Sequence, residues 1–177
     1  MKLTCVLTLA GIAGACLLVQ APLQAAENRG SLSERDFKFV NEASRGGLAE
    51  VKLGELAKEK GASQVVKDFG ERMVTDHGKA NDELAKIATT KNAVPSVDLT
   101  RKENSTFEKL QKASGKDFDK EYASAMVKDH KEDVKAFKDA VEDLKDPDLK
   151  AFASKTLPIL EEHLQMAEQM EAAAKKE

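Results

Sequence analysis

Met73-Val74-Thr75-Asp76-His77 recurs later in the chain as Met126-Val127-Lys128-Asp129-His130, and each copy sits inside an apolar stripe. The first stripe reads Val66, Phe69, Met73, His77, Ala80, Leu84 and Ile87. The second reads Phe118, Tyr122, Met126, His130, Val134, Phe137, Val141 and Leu144. Steps of three and four residues are the period of an α-helix with one buried face. The third and last histidine, His163, follows Leu157-Pro158-Ile159-Leu160 on a stripe of the same kind: Leu149, Phe152, Thr156, Leu160, His163, Met166 and Met170. All three histidines therefore lie on inward faces, one per helix. A fourth helix is predicted over residues 33–60, with Ser33 as N-cap, Gly61 as stop and inward positions Val40, Ala43, Gly47, Glu50, Gly54 and Ala57. Most of these are small, so a neighbouring helix can approach closely. Gly46-Gly47 is read in the same way, as permitting a close crossing.

The connections set the topology. The turn at Gly61 and the turn at Asp146-Pro147 are short, with Pro147 suited to a first helical turn. Between them, residues 89–98 read as an extended loop and residues 99–112 as a short amphipathic helix with Phe107 and Leu110 facing in. Short, long, short is the order of a ferritin-like four-helix bundle, in which one crossover sets the second and third long helices parallel. The fold expected is thus all-α, with a short extra helix in the crossover. Pro158 stands inside the last helix and should bend it.

The composition agrees. The chain has 177 residues, with seven phenylalanines, one tyrosine and no tryptophan; Ala, Lys, Glu and Leu dominate, as helices favour. Residues 3–23 form an apolar segment after Lys2, followed by Ala25-Ala26 and the polar Glu27-Asn28-Arg29. This is the pattern of a secretory signal cleaved after Ala25 or Ala26. Residues 1–25 are therefore assigned as signal peptide and 26–177 as one bundle domain. A retained membrane anchor and lipidation at Cys16 are the alternatives, though Cys16 lacks the usual leucine three residues ahead. Both cysteines, Cys5 and Cys16, fall within the signal, so the exported chain has no disulfide and no thiol ligand. Without Lys2 there remain 27 basic and 31 acidic residues, a net charge of −4. The signs are interleaved as on solvated helix faces, which gives no footprint for nucleic acid.

Helical rise places the histidines in one layer. His77 is 14 residues beyond Ser63 and His130 is 14 beyond Lys116; from the Asp146 turn, His130 lies 16 residues back and His163 lies 17 forward. At about 1.5 Å per residue the three heights agree within a few Å. Glu50 is offset from His77 by roughly 7 Å on the same count and is the weaker fourth member. His77, His130, His163 and Glu50 are accordingly the candidate metal ligands. Three imidazoles with a carboxylate or an open position suit zinc or copper. Met73, Met126 and Met166 each share a helix face with a histidine. They are either soft donors for copper or ordinary core filling. Tyr122 and Asp119 are candidates to hydrogen-bond an imidazole from behind. Asp76 and Asp129 point about 100° away from the histidines that follow them, toward solvent or a neighbouring helix. The opposing reading is a polar layer of neutral imidazoles that fixes helix register and binds nothing.

The pattern Phe39-Val40-Asn41-Glu42-Ala43, Gly46-Gly47-Leu48-Ala49-Glu50-Val51, Met73-Val74-x-Asp76-His77, Phe118-Asp119-x-x-Tyr122 and Leu157-Pro158-x-Leu160-x-x-His163-Leu164 resembles a bacterial family of unknown function. Its members are exported ferritin-like four-helix proteins often labelled outer membrane proteins. The resemblance spans residues 36–168 and implies a ferritin-like fold and a cell-envelope location; it brings no activity and no catalytic residues. A helical bundle fits poorly with an outer-membrane β-barrel. Di-iron chemistry is disfavoured directly: three residues before His77, His130 and His163 stand Val74, Val127 and Leu160, where Glu-x-x-His sites need carboxylates. No serine nucleophile arrangement, phosphate loop or thiol chemistry is visible. The expectation is a non-enzymatic periplasmic protein with a His-lined zinc or copper site and an envelope-stress role. The competing class is a structural or protein-interaction module with envelope partners.

Overall fold

The computed structural model describes residues 28–176. The signal-peptide assignment, its cleavage site and both cysteines lie outside these residues. Within them the chain is helical, with no strand. Helix α1 spans Glu34–Lys60, α2 Gln64–Thr90, α3 Arg101–Lys112, α4 Gly115–Asp143 and α5 Pro147–Ala174. Among the described residues, no helix is long and apolar enough to cross a membrane.

Four of the five helices begin at a capping side chain, whereas Ser114 ahead of α4 makes no side-chain cap. Ser33 accepts from the Asp36 amide, Ser63 from Val66, and Asp146 from Asp148 and Leu149 ahead of Pro147. Thr100 and Glu103 form a reciprocal capping box at α3. Helix α5 runs without interruption through Pro158 as one element of 28 residues.

The hydrogen bonds between helix ends define the directions. Asp119, near the start of α4, accepts from the Ala62 and Ser63 amides at 2.8 Å each, at the start of α2. At the other end, Lys91 after α2 bridges to Asp146 at 2.8 Å, and Asp36 at the start of α1 accepts from the Lys145 amide at 2.9 Å. Helices α2 and α4 therefore run parallel, and α1 and α5 run against them. The crossover makes this possible. Val94 N–H donates to the Asn28 carbonyl, and α3 then descends beside α1 and α4, tied by Arg45–Glu103 and Lys102–Glu132. Leu110 is its buried anchor.

Helices α1 and α2 cross in near-backbone contact at Gly54 and Gly70. A Cβ added to either would stand 2.7 Å from the other's carbonyl oxygen. Gly47 likewise abuts Asn81, but Gly46 has nothing within 4 Å of a would-be Cβ and makes no crossing, against expectation.

The core is divided. One apolar cluster contains Phe39, Val40, Leu84, Val134, Phe137, Leu149, Phe152 and Leu160; the other contains Leu53, Phe69, Met73, Phe118, Tyr122, Met126, Ala167 and Met170. Along every long helix the switch from one cluster to the other falls at a polar residue: Glu50, His77, His130 and His163.

Candidate metal centre

The three histidines are buried together, His130 and His163 at 0 % exposure and His77 at 6 %. Their ring centroids are 5.4 to 5.8 Å apart, and one ring nitrogen of each comes within 4.8 Å of those of the others. Phe69 closes one side, edge-on to His130 at 6.1 Å and to His163 at 6.4 Å.

Each imidazole has one nitrogen held from outside the cluster. His130 Nδ1 lies 3.0 Å from the Met126 carbonyl, an acceptor only, so this nitrogen carries the proton. His163 Nε2 donates to Asp76 Oδ2 at 3.0 Å, and Arg72 Nε donates to the same oxygen at 2.9 Å. His77 Nδ1 shares a proton with Glu50 Oε2 at 2.7 Å. The nitrogens left over, His77 Nε2, His130 Nε2 and His163 Nδ1, are buried and have no hydrogen-bond partner. Glu50 Oε1 is in the same position, 3.4 Å from His130 Nε2 without a hydrogen bond. Lone pairs gathered in a site sealed from water are costly unless a cation or protons resolve them.

The electrostatics keep the imidazoles neutral. Burial pushes His130 down to about 3, with the charges of His77 and His163 adding to it. Burial also lowers His163 to about 4, against the opposing bond to Asp76. His77 is lowered by burial despite Asp133, Asp129 and Asp76. A neutral imidazole is the form that binds a metal. The Asp76 carboxyl is held below its ordinary value: burial acts upward, but the bonds from Arg72 and His163 outweigh it. Burial raises Glu50 well above the carboxylate range, and the Asp129 charge adds to this. A cation at His77 Nε2 would draw the shared proton onto Nδ1 and leave Glu50 ionised.

The donor set fits zinc or copper. Tetrahedral zinc, at about 2.0–2.1 Å from each nitrogen, sets neighbouring donors about 3.3 Å apart. Starting within 4.8 Å of one another, the rings would each move inward by less than about 1 Å to meet that bond length. The outer partners, two carboxylates and a carbonyl, are those that orient metal-bound histidines.

Not every expected residue has its expected place. Glu50 reaches His77 although the count of heights left it short. Cα–Cβ bonds lean toward a helix N-terminus, and α1 and α2 are antiparallel, so the two side chains lean toward each other. Asp119 does not support an imidazole: both of its oxygens bind the turn between α1 and α2. Tyr122 is wholly buried, stacked on Phe118, and its hydroxyl has no partner; burial and then the Glu50 charge raise its pKa. Met73 and Met126 are buried in the cluster below the site and Met166 packs at its edge. Asp76 does face the neighbouring helix α5, but there it holds His163. Its adjacency to His77 in sequence concealed this, because the partner lies on another helix.

Together these features define a helical bundle with a sealed, histidine-rich polar layer. The family model described as "Domain of unknown function (DUF4142)" matches residues 21–170, and the chain belongs to that family. No curated protein matches it. Among solved structures, the chain is similar to a crystal structure of a DUF305 fragment from Deinococcus radiodurans, with a TM-score of 0.71 and 9% identity, covering 82% of this chain and 99% of that one. At that identity the likeness speaks for the fold alone.

Proposed function

We propose that the protein is an exported, ferritin-like four-helix bundle that binds one zinc or copper ion through His77, His130 and His163, as a non-enzymatic metal-handling protein of the periplasm or cell envelope. One observation carries this reading. Three buried neutral imidazoles are each braced from outside and each keep one unpartnered nitrogen in a common layer. A layer serving only helix register would pair those nitrogens with one another or with side chains. Glu50 Oε1, or a water, completes the ligand set.

The cavity that His77 and Glu50 themselves line supports binding rather than turnover. This cavity of about 30 Å³, lined also by Asn81 and Thr156, has room for about one water and for no organic substrate. Export is supported by the leader-like segment at residues 1–25, and the ferritin-like assignment by the parallel α2 and α4 with their long crossover.

The test is elemental analysis of the untagged chain 26–177 recovered after export. One zinc or copper per chain, lost in His77→Ala, is the expected result. If no metal is present and none is taken up on titration, the layer is a packing device and the protein a structural or interaction module.

A further inference from the structure

Beside the histidine layer stands a second group of ligating atoms. Glu50 on α1 and Asp129 and Asp133 on α4 each place one carboxylate oxygen within 4.8 Å of the others. Asp129 and Asp133 are one turn apart on the same helix, where like charges repel. Two cations of the same groove are bound elsewhere, Arg45 to Glu103 at 3.2 Å and Lys102 to Glu132 at 2.5 Å, with the Lys102 charge still acting on Asp129. Glu50, 1 % exposed, contributes an oxygen with no hydrogen-bond partner.

Access differs between the two groups. The histidines are sealed, whereas Asp129 and Asp133 line a broad groove of about 1280 Å³ between α1, α3 and α4. That groove can bring a hydrated ion to the carboxylates and leave it several of its waters. Hard divalent cations take such a set of oxygen donors completed by water.

We propose that Glu50, Asp129 and Asp133 form a second cation site, selective for a hard divalent ion, reached from this groove and joined to the histidine site through Glu50. Its donors are all oxygen where those of the neighbouring site are chiefly nitrogen, so the two sites prefer different metals.

Manganese(II) is the probe, read by the loss of its free-ion paramagnetic resonance signal on titration into the full exported chain. One Mn(II) per chain is expected, both with and without zinc present. The double variant Asp129→Asn, Asp133→Asn should weaken binding at least tenfold, with helical content by circular dichroism confirming its fold. His163→Gln should leave Mn(II) binding intact while removing the zinc site, which separates failure here from failure of the histidine reading. Absence of Mn(II) binding would overturn the proposal, and so would unchanged binding in the double variant. Loss of Mn(II) in His163→Gln would also overturn it, because the two groups would then be one site.

Discussion

Replacing His130 by leucine should stabilise the metal-free protein while abolishing its response to metal. His130 is fully buried, with Phe69 edge-on to its ring, and its Nε2 faces Glu50 Oε1 and the other imidazoles unpartnered. Leaving such a buried atom unsatisfied costs about 1–3 kcal/mol. The substitution also removes the Nδ1 bond to the Met126 carbonyl, a net loss of about 1 kcal/mol; that carbonyl keeps its place in the backbone ladder of α4. Leucine fills most of the vacated volume and adds apolar burial of about 1.5–3 kcal/mol at most. The balance favours the variant by roughly 1.5–5 kcal/mol, which in a domain of this size raises the melting temperature by about 3–20 °C. Wild type, by contrast, gains about 2.7 kcal/mol from zinc or copper at a hundred times its dissociation constant, and the variant gains nothing. Thermal melts by circular dichroism, in chelator and in excess metal, measure all four states. If metal-free His130→Leu melts below metal-free wild type, the inward nitrogens are satisfied as they stand, and the argument from unpaired lone pairs fails.

Three further outcomes follow from the same geometry. In chelator, the histidine contribution to stability should fall with acid, because the unfolded histidines take up protons from about pH 6.5 while folded His163 resists until about 4 and folded His130 until about 3. Each contributes up to about 1.4 kcal/mol per pH unit across its window. Glu50 and Asp133, raised in the fold by burial first, act with the opposite sign: their contribution is complete below the ordinary carboxylate range and lost as pH rises through their folded values. Metal-free Asp133→Asn should therefore be more stable than wild type at pH 8, and a urea midpoint no higher than that of wild type at this pH would show this is wrong. Asp76→Ala removes the acceptor of His163 Nε2 and should weaken metal affinity about 10–100-fold without changing stoichiometry; unaltered affinity in a competition titration would remove Asp76 from the site. Gly54→Ala drives a methyl to 2.7 Å from the Gly70 carbonyl and should cost about 1–3 kcal/mol, whereas Gly46→Ala, with nothing within 4 Å, should gain up to about 1 kcal/mol from helix propensity. Equal effects in denaturant melts would contradict the close crossing of α1 and α2.

The helices and the layer of the site were readable because both depend on counting along one helix. Ser33, Ser63, Thr100 and Asp146 cap where local backbone chemistry places them, and the stripes carrying His77, His130 and His163 follow from 3.6 residues per turn. The site's outer partners were not readable in the same way. Asp119 lies on the stripe of His130 and is a candidate there to hydrogen-bond an imidazole, yet it binds the Ala62 and Ser63 amides, which the sequence puts more than fifty residues away. Asp129 and Asp133 share a face of α4, but their meeting with Glu50 depends on how α1 lies against that face.

The sequence by itself determined an all-helical chain, the length and order of its helices, and the height at which three imidazoles meet, since local propensity and periodicity are properties of consecutive residues. Only the tertiary structure decided which nitrogen of each ring is bound and which is left free, that Asp76 belongs to His163 rather than to solvent, and that Glu50 reaches His77. Those outcomes depend on the offset and rotation of one helix against another. The Gly54–Gly70 contact and the Asp119 clamp help set that offset through atoms far apart in the chain, and a shift of one turn, about 5.4 Å, would part His77 from Glu50 and His163 from Asp76.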